Sequence, residues 1–187
     1  VNIGSNYSVN EIYLKEPERV AHEVSELSGK TRVPDDVDSK EYLYRLWTYN
    51  EIKKSGGYAI YPHPYWGVKD HYHVETSMSK AVMKNGLCDA FELLGGCTPA
   101  ENNLQLALYY EMVAQGHKLP VVASSDSHSS MAGSPHFGQI YTIVFDKEKN
   151  TGSFRKYLRN INVRWFSFDI SDLLEMKIEN SEMDKYT

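Results

Sequence analysis

The stretch that decides the fold is a short apolar run that ends at a histidine between two prolines, Gly57-Tyr58-Ala59-Ile60-Tyr61-Pro62-His63-Pro64. Four apolar residues bounded by glycine and proline are typical of a buried strand. Similar runs follow at residues 89–94 and 119–123, and helical apolar stripes at residues 76–85 and 101–116 separate the three runs. Short strands that alternate with helices predict βαβ units and a parallel sheet, so the expected fold class is α/β.

The pattern continues on both sides of this central part. We expect the end of a strand at residues 1–4, a helix at 17–29, and a second helix that Ser39 caps and that Gly56-Gly57 closes. Towards the other end we expect strands at 140–145 and 163–166 and helices at 153–160 and 171–178. The 187 residues are 41% hydrophobic and 24% charged, and a chain of this size buries about 70% of its unfolded surface. We therefore expect one domain over residues 1–187.

Composition excludes several classes of protein. The net charge is −5, so the chain has no general basic footprint for nucleic acid. No apolar run approaches the ~20 residues of a membrane span. The motifs GxxxxGK[ST], GxGxxG and GxSxG are missing from the sequence, which disfavours P-loop, dinucleotide and serine-hydrolase chemistry. Cys88 and Cys97 match no metal or redox spacing and are interpreted as small buried side chains.

Candidate chemistry stands at the ends of three successive predicted strands. His63 follows the first strand, Glu92 lies within the second, and Asp126 and His128 follow the third. In parallel sheets, ligands bind at the carboxyl ends of the strands. Residues two apart in an extended segment point the same way. Asp126 and His128 would then offer an oxygen and a nitrogen ligand to one cation, which predicts a metal site.

Each of these residues also has a purely structural interpretation. His63 could bond to backbone at a rigid strand exit, and Glu92 could be an exposed or ion-paired strand residue. Asp126 could cap a turn while His128 is solvated. The aromatic residues near His63 fit packing as well as stacking on sugars or bases; they are Tyr7, Tyr61, Tyr65, Trp66 and Tyr72.

Four further residues could support such a site. Ser125 belongs to a run of small hydroxyl residues at 124–130, which can orient ligands. His71 and His73 have HxH spacing in what we expect to be a mobile, exposed loop, which could act as a lid. His136 follows the third strand end and could contact the anion of a substrate.

The motifs together resemble the PHP (polymerase and histidinol phosphatase) superfamily. Residues 57–64 resemble its third motif and residues 124–129 its fourth, with similar intervening and following strands at 89–93 and 138–144 and a closing helix at 153–160. The resemblance covers about residues 57–166. It implies a distorted (β/α)7 TIM-like barrel, a centre of two or three metal ions, and metal-dependent phosphoesterase activity.

The resemblance also implies a ligand set. His63, Asp126 and His128 match family ligand positions, whereas Glu92, Ser125 and His136 would line the site. Imidazole and carboxylate ligands suit Mn, Zn or Fe. The family's first two motifs have no counterpart before His63, since His22 is the sole earlier histidine. We therefore expect the N-terminal strands of the barrel to be lacking, and the chain to hold one ion or none unless a missing segment or a second copy completes the site.

Three functions remain open at this point. The first is a phosphoesterase that acts on a small phosphorylated substrate or an oligonucleotide. The second is a noncatalytic PHP-derived binding module, and the third is a metal-dependent hydrolase of the amidohydrolase type. The first residue is Val1, so the sequence leaves both the cytoplasm and export open.

Overall fold

The computed structural model describes residues 1–68, 71–128, 140 and 142, and it confirms the α/β class. The helices are α1 (Val9–Lys15), α2 (Pro17–Ser28), α3 (Ser39–Lys54), α4 (Thr76–Lys84) and α5 (Pro99–Ala114). The strands are β1 (Asn2–Ile3), β2 (Tyr58–Tyr61), β3 (Gly67–Val68), β4 (His71–Tyr72), β5 (Ala90–Leu94) and β6 (Val121–Ala123). The elements expected beyond residue 142, and His136, lie outside the described residues, as does most of the strand expected at 140–145.

The main sheet has four strands in the order β1-β2-β5-β6. β2, β5 and β6 are parallel, as expected, with Ile60 opposite Ala90 and Phe91 opposite Val121. β1 runs antiparallel to β2, with Asn2 opposite Ala59, so the expectation of a wholly parallel sheet was wrong for this strand. The sheet is therefore mostly parallel, and its antiparallel strand β1 is an outermost strand.

Side-chain caps set where the helices begin. Asp38 accepts the Glu41 N–H at 2.7 Å and caps α3, so Ser39 is the first helical residue and the expected cap was wrong by one position. Thr98 begins α5 through a reciprocal capping box with Glu101. α1 was not expected; Ser8 caps it by accepting the Glu11 N–H at 3.2 Å, and this Ser-x-x-Glu spacing is a sequence signal for a helix start.

The described residues form three hydrophobic cores, two of which lie between the sheet and the helices. One lies between the sheet and α4 and α5, with Phe91, Tyr109 and Met112 at its centre. The other packs α1, α2 and α3 against Ala59. No helix within the described part of the chain is long and apolar enough to cross a membrane.

The apolar spacing of residues 101–116 predicts a buried face made of Leu104, Leu108 and Met112, and the structure differs from it in part. Leu108 and Met112 are buried, as expected, but Leu104 is 37% exposed and Gln105 is fully buried. The buried positions 105, 108, 109 and 112 follow helical spacing. The Gln105 Nε2 donates to Asn102 Oδ1 at 2.9 Å, whereas its Oε1 has no hydrogen-bond partner among the residues that the structure describes.

The parallel strands bring their carboxyl ends to one edge of the sheet. β2 ends at Tyr61, β5 at Leu94 and β6 at Ala123. A register shift between Glu92 and Leu94 interrupts the pairing of β5 with β6 close to that edge, where such irregularities often re-aim a side chain. The residues that follow these three strands form the candidate site.

Candidate functional site

Glu92 is the centre of the strand-end edge. Its Oε2 accepts two hydrogen bonds from His63, from the backbone N–H at 2.9 Å and from the ring Nδ1 at 2.6 Å. Its Oε1 accepts a hydrogen bond from the Ser124 hydroxyl. One carboxylate therefore joins the segments after β2 and β6 to β5. The structure brings His63 and Glu92 together, and the serine in contact with Glu92 is Ser124.

The electrostatics of this contact follow from burial and hydrogen bonding. The Glu92 side chain is 3% exposed and that of His63 is 16% exposed. Burial raises the pKa of Glu92, but the bonds from His63 and Ser124 outweigh burial and leave the pKa below its ordinary value. The bond to Glu92 raises the pKa of His63 against the opposing effect of burial. Glu92 therefore stays ionised at neutral pH.

This hydrogen bond also fixes the tautomer of His63. A carboxylate only accepts, so the ring nitrogen that faces Glu92 must carry the proton. The neutral imidazole then has its lone pair on Nε2, the nitrogen that would bind a ligand. A carboxylate that holds the far nitrogen of an imidazole is the usual support for a metal-binding histidine.

Gly95 and Gly96 lie between the two halves of the edge. A Cβ added to Gly95 would lie 2.9 Å from Glu92 Oε2 and 3.4 Å from His63 Cβ. A Cβ added to Gly96 would collide with the Ser125 carbonyl oxygen and lie 3.1 Å from Asp126 Cβ. Since consecutive Cα atoms are about 3.8 Å apart, these contacts place the His63–Glu92 pair and the start of the Asp126 loop close to each other.

Asp126 and His128 form the second half of the edge. Asp126 has a φ of +49°, a left-handed conformation that aspartate tolerates better than most residues. Its Oδ1 lies 3.6 Å from His128 Nε2, and the two side chains are 44% and 89% exposed. The two side chains therefore lie near each other on the solvent side, but Asp126 does not have the extended backbone from which a common direction was expected.

The structure thus groups the expected site residues into two sets. His63 and Glu92 form one set, and Asp126 and His128 form the other. Within residues 1–68 and 71–128, no three side chains of His, Cys, Asp or Glu lie close enough to hold one ion jointly. A metal ion shared by His63, Asp126 and His128 therefore stays a prediction.

A short hairpin, β3–β4, lies beside His63. Val68 pairs with His71, so His71 lies in a two-residue strand, and the expectation of a loop was wrong for this residue. Two hydrogen bonds hold this segment: the Val74 N–H donates to the nearby Pro64 carbonyl at 3.0 Å, and the Gly67 N–H donates to Oε1 of the distant Glu101 at 2.6 Å. His71 and His73 are exposed, as expected, and their role as a lid stays a prediction.

Asn102 is a site residue that the sequence analysis missed. Its Oδ1 accepts the Gly95 N–H at 2.9 Å, and its Nδ2 donates to the Gly95 and Cys97 carbonyls at 3.2 and 3.3 Å. It therefore fixes the tight turn between β5 and α5. The signal for this turn was present in the paired glycines followed by the Thr98-x-x-Glu101 capping box.

We compared the chain with models of known protein families, with curated proteins and with solved structures, and none of the three comparisons found a match.

Proposed function

We propose that this chain is part of a PHP-type metal-dependent phosphoesterase. The observation that carries the proposal is the hydrogen bond from His63 Nδ1 to the buried Glu92, which leaves Nε2 as the lone-pair nitrogen. Asp126 follows the neighbouring strand at the same edge, 3.6 Å from His128. A carboxylate-supported imidazole next to a second carboxylate and imidazole is the donor chemistry of a Mn, Zn or Fe site.

We further propose that the sheet belongs to a TIM-like barrel. Its three parallel strands are neighbours in the order in which they occur along the chain, as in a barrel, whereas a doubly wound sheet reverses direction at a switch point. Ala90 is buried with Tyr58, Ile60 and Val122 in a separate core. Because side chains alternate along a strand, Glu92 shares the Ala90 face, away from α4 and α5.

The residues of the chain have distinct tasks in this proposal. Glu92 holds a proton on His63 Nδ1 and keeps Nε2 available. Gly95 and Gly96 leave room at the edge that any larger side chain would fill. His63, Asp126 and His128 would hold the ion, which when bound lowers the pKa of water and stabilises charge on phosphoryl oxygens.

Metal binding tests the proposal directly. We expect Mn or Zn to bind the wild-type chain in calorimetric titrations, and the affinity to fall at least tenfold in His63→Ala and in Asp126→Asn. His22→Ala is the matched control, because His22 is an exposed histidine on α2 and should not change binding. Equal affinity in all four proteins would refute the proposal.

We expect the 187-residue chain by itself to show little or no turnover. Two-metal chemistry needs enough ligands to hold both ions and to leave room for water and substrate, and the chain matches three family ligands. The assay is hydrolysis of a generic aryl phosphate with added Mn or Zn, compared with His63→Ala and Asp126→Ala. Robust turnover that both substitutions abolish would contradict this expectation and would mean that other residues or a second copy complete the site.

The ligand count also supports a second candidate, a noncatalytic binding module derived from the same fold. Metal binding that depends on His63 and Asp126, without turnover even when the upstream motifs are supplied by a longer chain, would favour this candidate. Turnover by such a longer chain would favour the phosphoesterase.

A further inference from the structure

Trp66 is a large aromatic side chain that is exposed next to the candidate site. Its side chain is 48% exposed. Its ring centroid lies 6.3 Å from that of His63, with the two planes at 82°, and 5.9 Å from that of His73. The indole therefore stands between two imidazoles, one of which belongs to the candidate metal site.

The backbone holds Trp66 firmly in this position. Its N–H donates to the His63 carbonyl at 3.2 Å, and its carbonyl accepts the His73 N–H at 2.9 Å. The preceding Tyr65 is buried, and its hydroxyl lies 3.0 Å from Thr76 Oγ1. A side chain whose backbone is fixed in advance loses less conformational freedom when it contacts a ligand.

Trp47 shows what a structural tryptophan does in the same chain. It is 3% exposed, and its indole N–H donates to Glu23 Oε2 at 2.7 Å. Trp66 is instead half open to solvent, at the edge where three strands end. Aromatic side chains in such positions serve as stacking surfaces for flat rings.

We propose that Trp66, flanked by His63 and His73, is the surface on which the planar ring of an aryl phosphate ester stacks. This inference rests on the proposed function, because it assumes that the phosphate lies at the His63–Asp126 edge. The Trp66 and His63 ring centroids are only 6.3 Å apart, and from this short separation we expect a ring stacked on the indole to carry its phosphate directly. A nucleoside 5′-phosphate places a ribose between ring and phosphate and fits this spacing less well.

Binding of matched ligands tests the inference. The probes are 1-naphthyl phosphate, cyclohexyl phosphate, AMP and 1-naphthol. Each is titrated into the protein by calorimetry with Mn or Zn present, and by NMR with Zn as the metal. We expect 1-naphthyl phosphate to bind about fivefold or more tighter than cyclohexyl phosphate, and tighter than AMP. The preference should disappear in Trp66→Leu and largely persist in Trp66→Phe. AMP binding as tight as that of 1-naphthyl phosphate would overturn the choice of an aryl ester.

The indole N–H signals in NMR spectra give an independent readout. The signal that is lost in Trp66→Phe should shift on addition of 1-naphthyl phosphate, and the signal of the buried Trp47 should not. Because Trp66 is exposed, both variants should unfold at the wild-type temperature, and this measurement excludes a folding defect.

The two proposals fail in distinguishable ways. One outcome would refute the phosphoesterase proposal and leave the stacking surface intact. In that outcome 1-naphthol binds as tightly as 1-naphthyl phosphate, Asp126→Asn does not change the affinity, and Trp66→Leu still abolishes binding. If Trp66→Leu leaves every affinity unchanged, or if no ring compound binds, the inference about Trp66 is overturned.

Discussion

Replacing Glu92 should destabilise the fold as well as the candidate site. In Glu92→Ala, the His63 N–H, the His63 ring and the Ser124 hydroxyl all lose their acceptor. Removing one partner of a buried charged pair costs about 3–5 kcal/mol. Because solvent reaches His63, whose side chain is 16% exposed, we expect Glu92→Ala to lower the free energy of unfolding by about 3 kcal/mol, the lower end of this range. Because Glu92→Gln loses the charge but keeps an oxygen acceptor, we expect it to lower the free energy of unfolding by only about 1–2 kcal/mol.

The cost should depend on pH. The pKa of His63 is raised from 6.5, so its contribution to stability is complete below that value and is lost as pH rises through the raised pKa. The pKa of Glu92 is lowered from 4.5, so its contribution is present above that value and is lost as pH falls through the lowered pKa. The charged pair therefore stabilises most between these two ordinary values, and the difference between wild type and Glu92→Gln should be largest near about pH 5.5.

Urea unfolding with a chelator present measures both effects without metal. The matched control is Glu26→Gln, because Glu26 forms an exposed ion pair with Lys30 at 3.9 Å and should change stability by less than about 0.5 kcal/mol. Equal stability of wild type and Glu92→Ala would refute the reasoning. So would a Glu92→Gln effect that grows steadily from about pH 5.5 to about pH 8.5.

Three further predictions concern packing and accessibility. Leu108→Ala should lower the free energy of unfolding in urea by roughly 2–5 kcal/mol, because Leu108 is 3% exposed. Leu104→Ala, the control, should cost clearly less. A Leu108 effect below about 0.5 kcal/mol would show that this face is not core. Gly96→Ala should destabilise the protein by about 1–3 kcal/mol in the same assay, because a Cβ there meets the Ser125 backbone. Gly29→Ala should be nearly neutral, because the nearest atom to its Cβ lies 3.8 Å away. Similar effects of the two changes would argue against the close approach of Gly96 to Ser125. Burial raises the pKa of Cys88 to about 12 and that of Cys97 to about 11, so at neutral pH an alkylating reagent should modify Cys97 slowly and Cys88 only after unfolding. Equal labelling of both thiols in the native protein, measured by mass spectrometry, would contradict the buried position of Cys88.

Local patterns were enough to predict the strands and their common edge. The apolar runs before His63, around Glu92 and before Asp126 each became a parallel strand, because short apolar segments between helices have few other ways to be buried. The helix α5 was found, but its buried face was misjudged by one position. The expected apolar face did not include Gln105, and hydrophobic spacing alone does not report its hydrogen bond to Asn102.

The contact between His63 and Glu92 could not be predicted from the sequence. The two residues are brought together by the pairing of Tyr61 with Phe91. A shift of one residue in this register would turn Glu92 to the other face of the sheet. The hairpin β3–β4 was not predicted for a similar reason, since two-residue strands carry little pattern. This hairpin depends on the bond from Val74 to Pro64 and on the bond from Gly67 to the distant Glu101.

The antiparallel edge strand has a consequence for the order of folding. Asn2 pairs with Ala59, whereas Ile60 pairs with Ala90 and Phe91 with Val121, so β1 closes a loop about twice as long as either βαβ unit. Each doubling of loop length adds about 0.6 kcal/mol of closure entropy, and in return β1 gains only its short pairing with β2 and the two bonds between Val1 and Ile60. We therefore expect β2, β5 and β6 to assemble first and β1 to dock last, so that the candidate site forms before the sheet acquires its fourth strand.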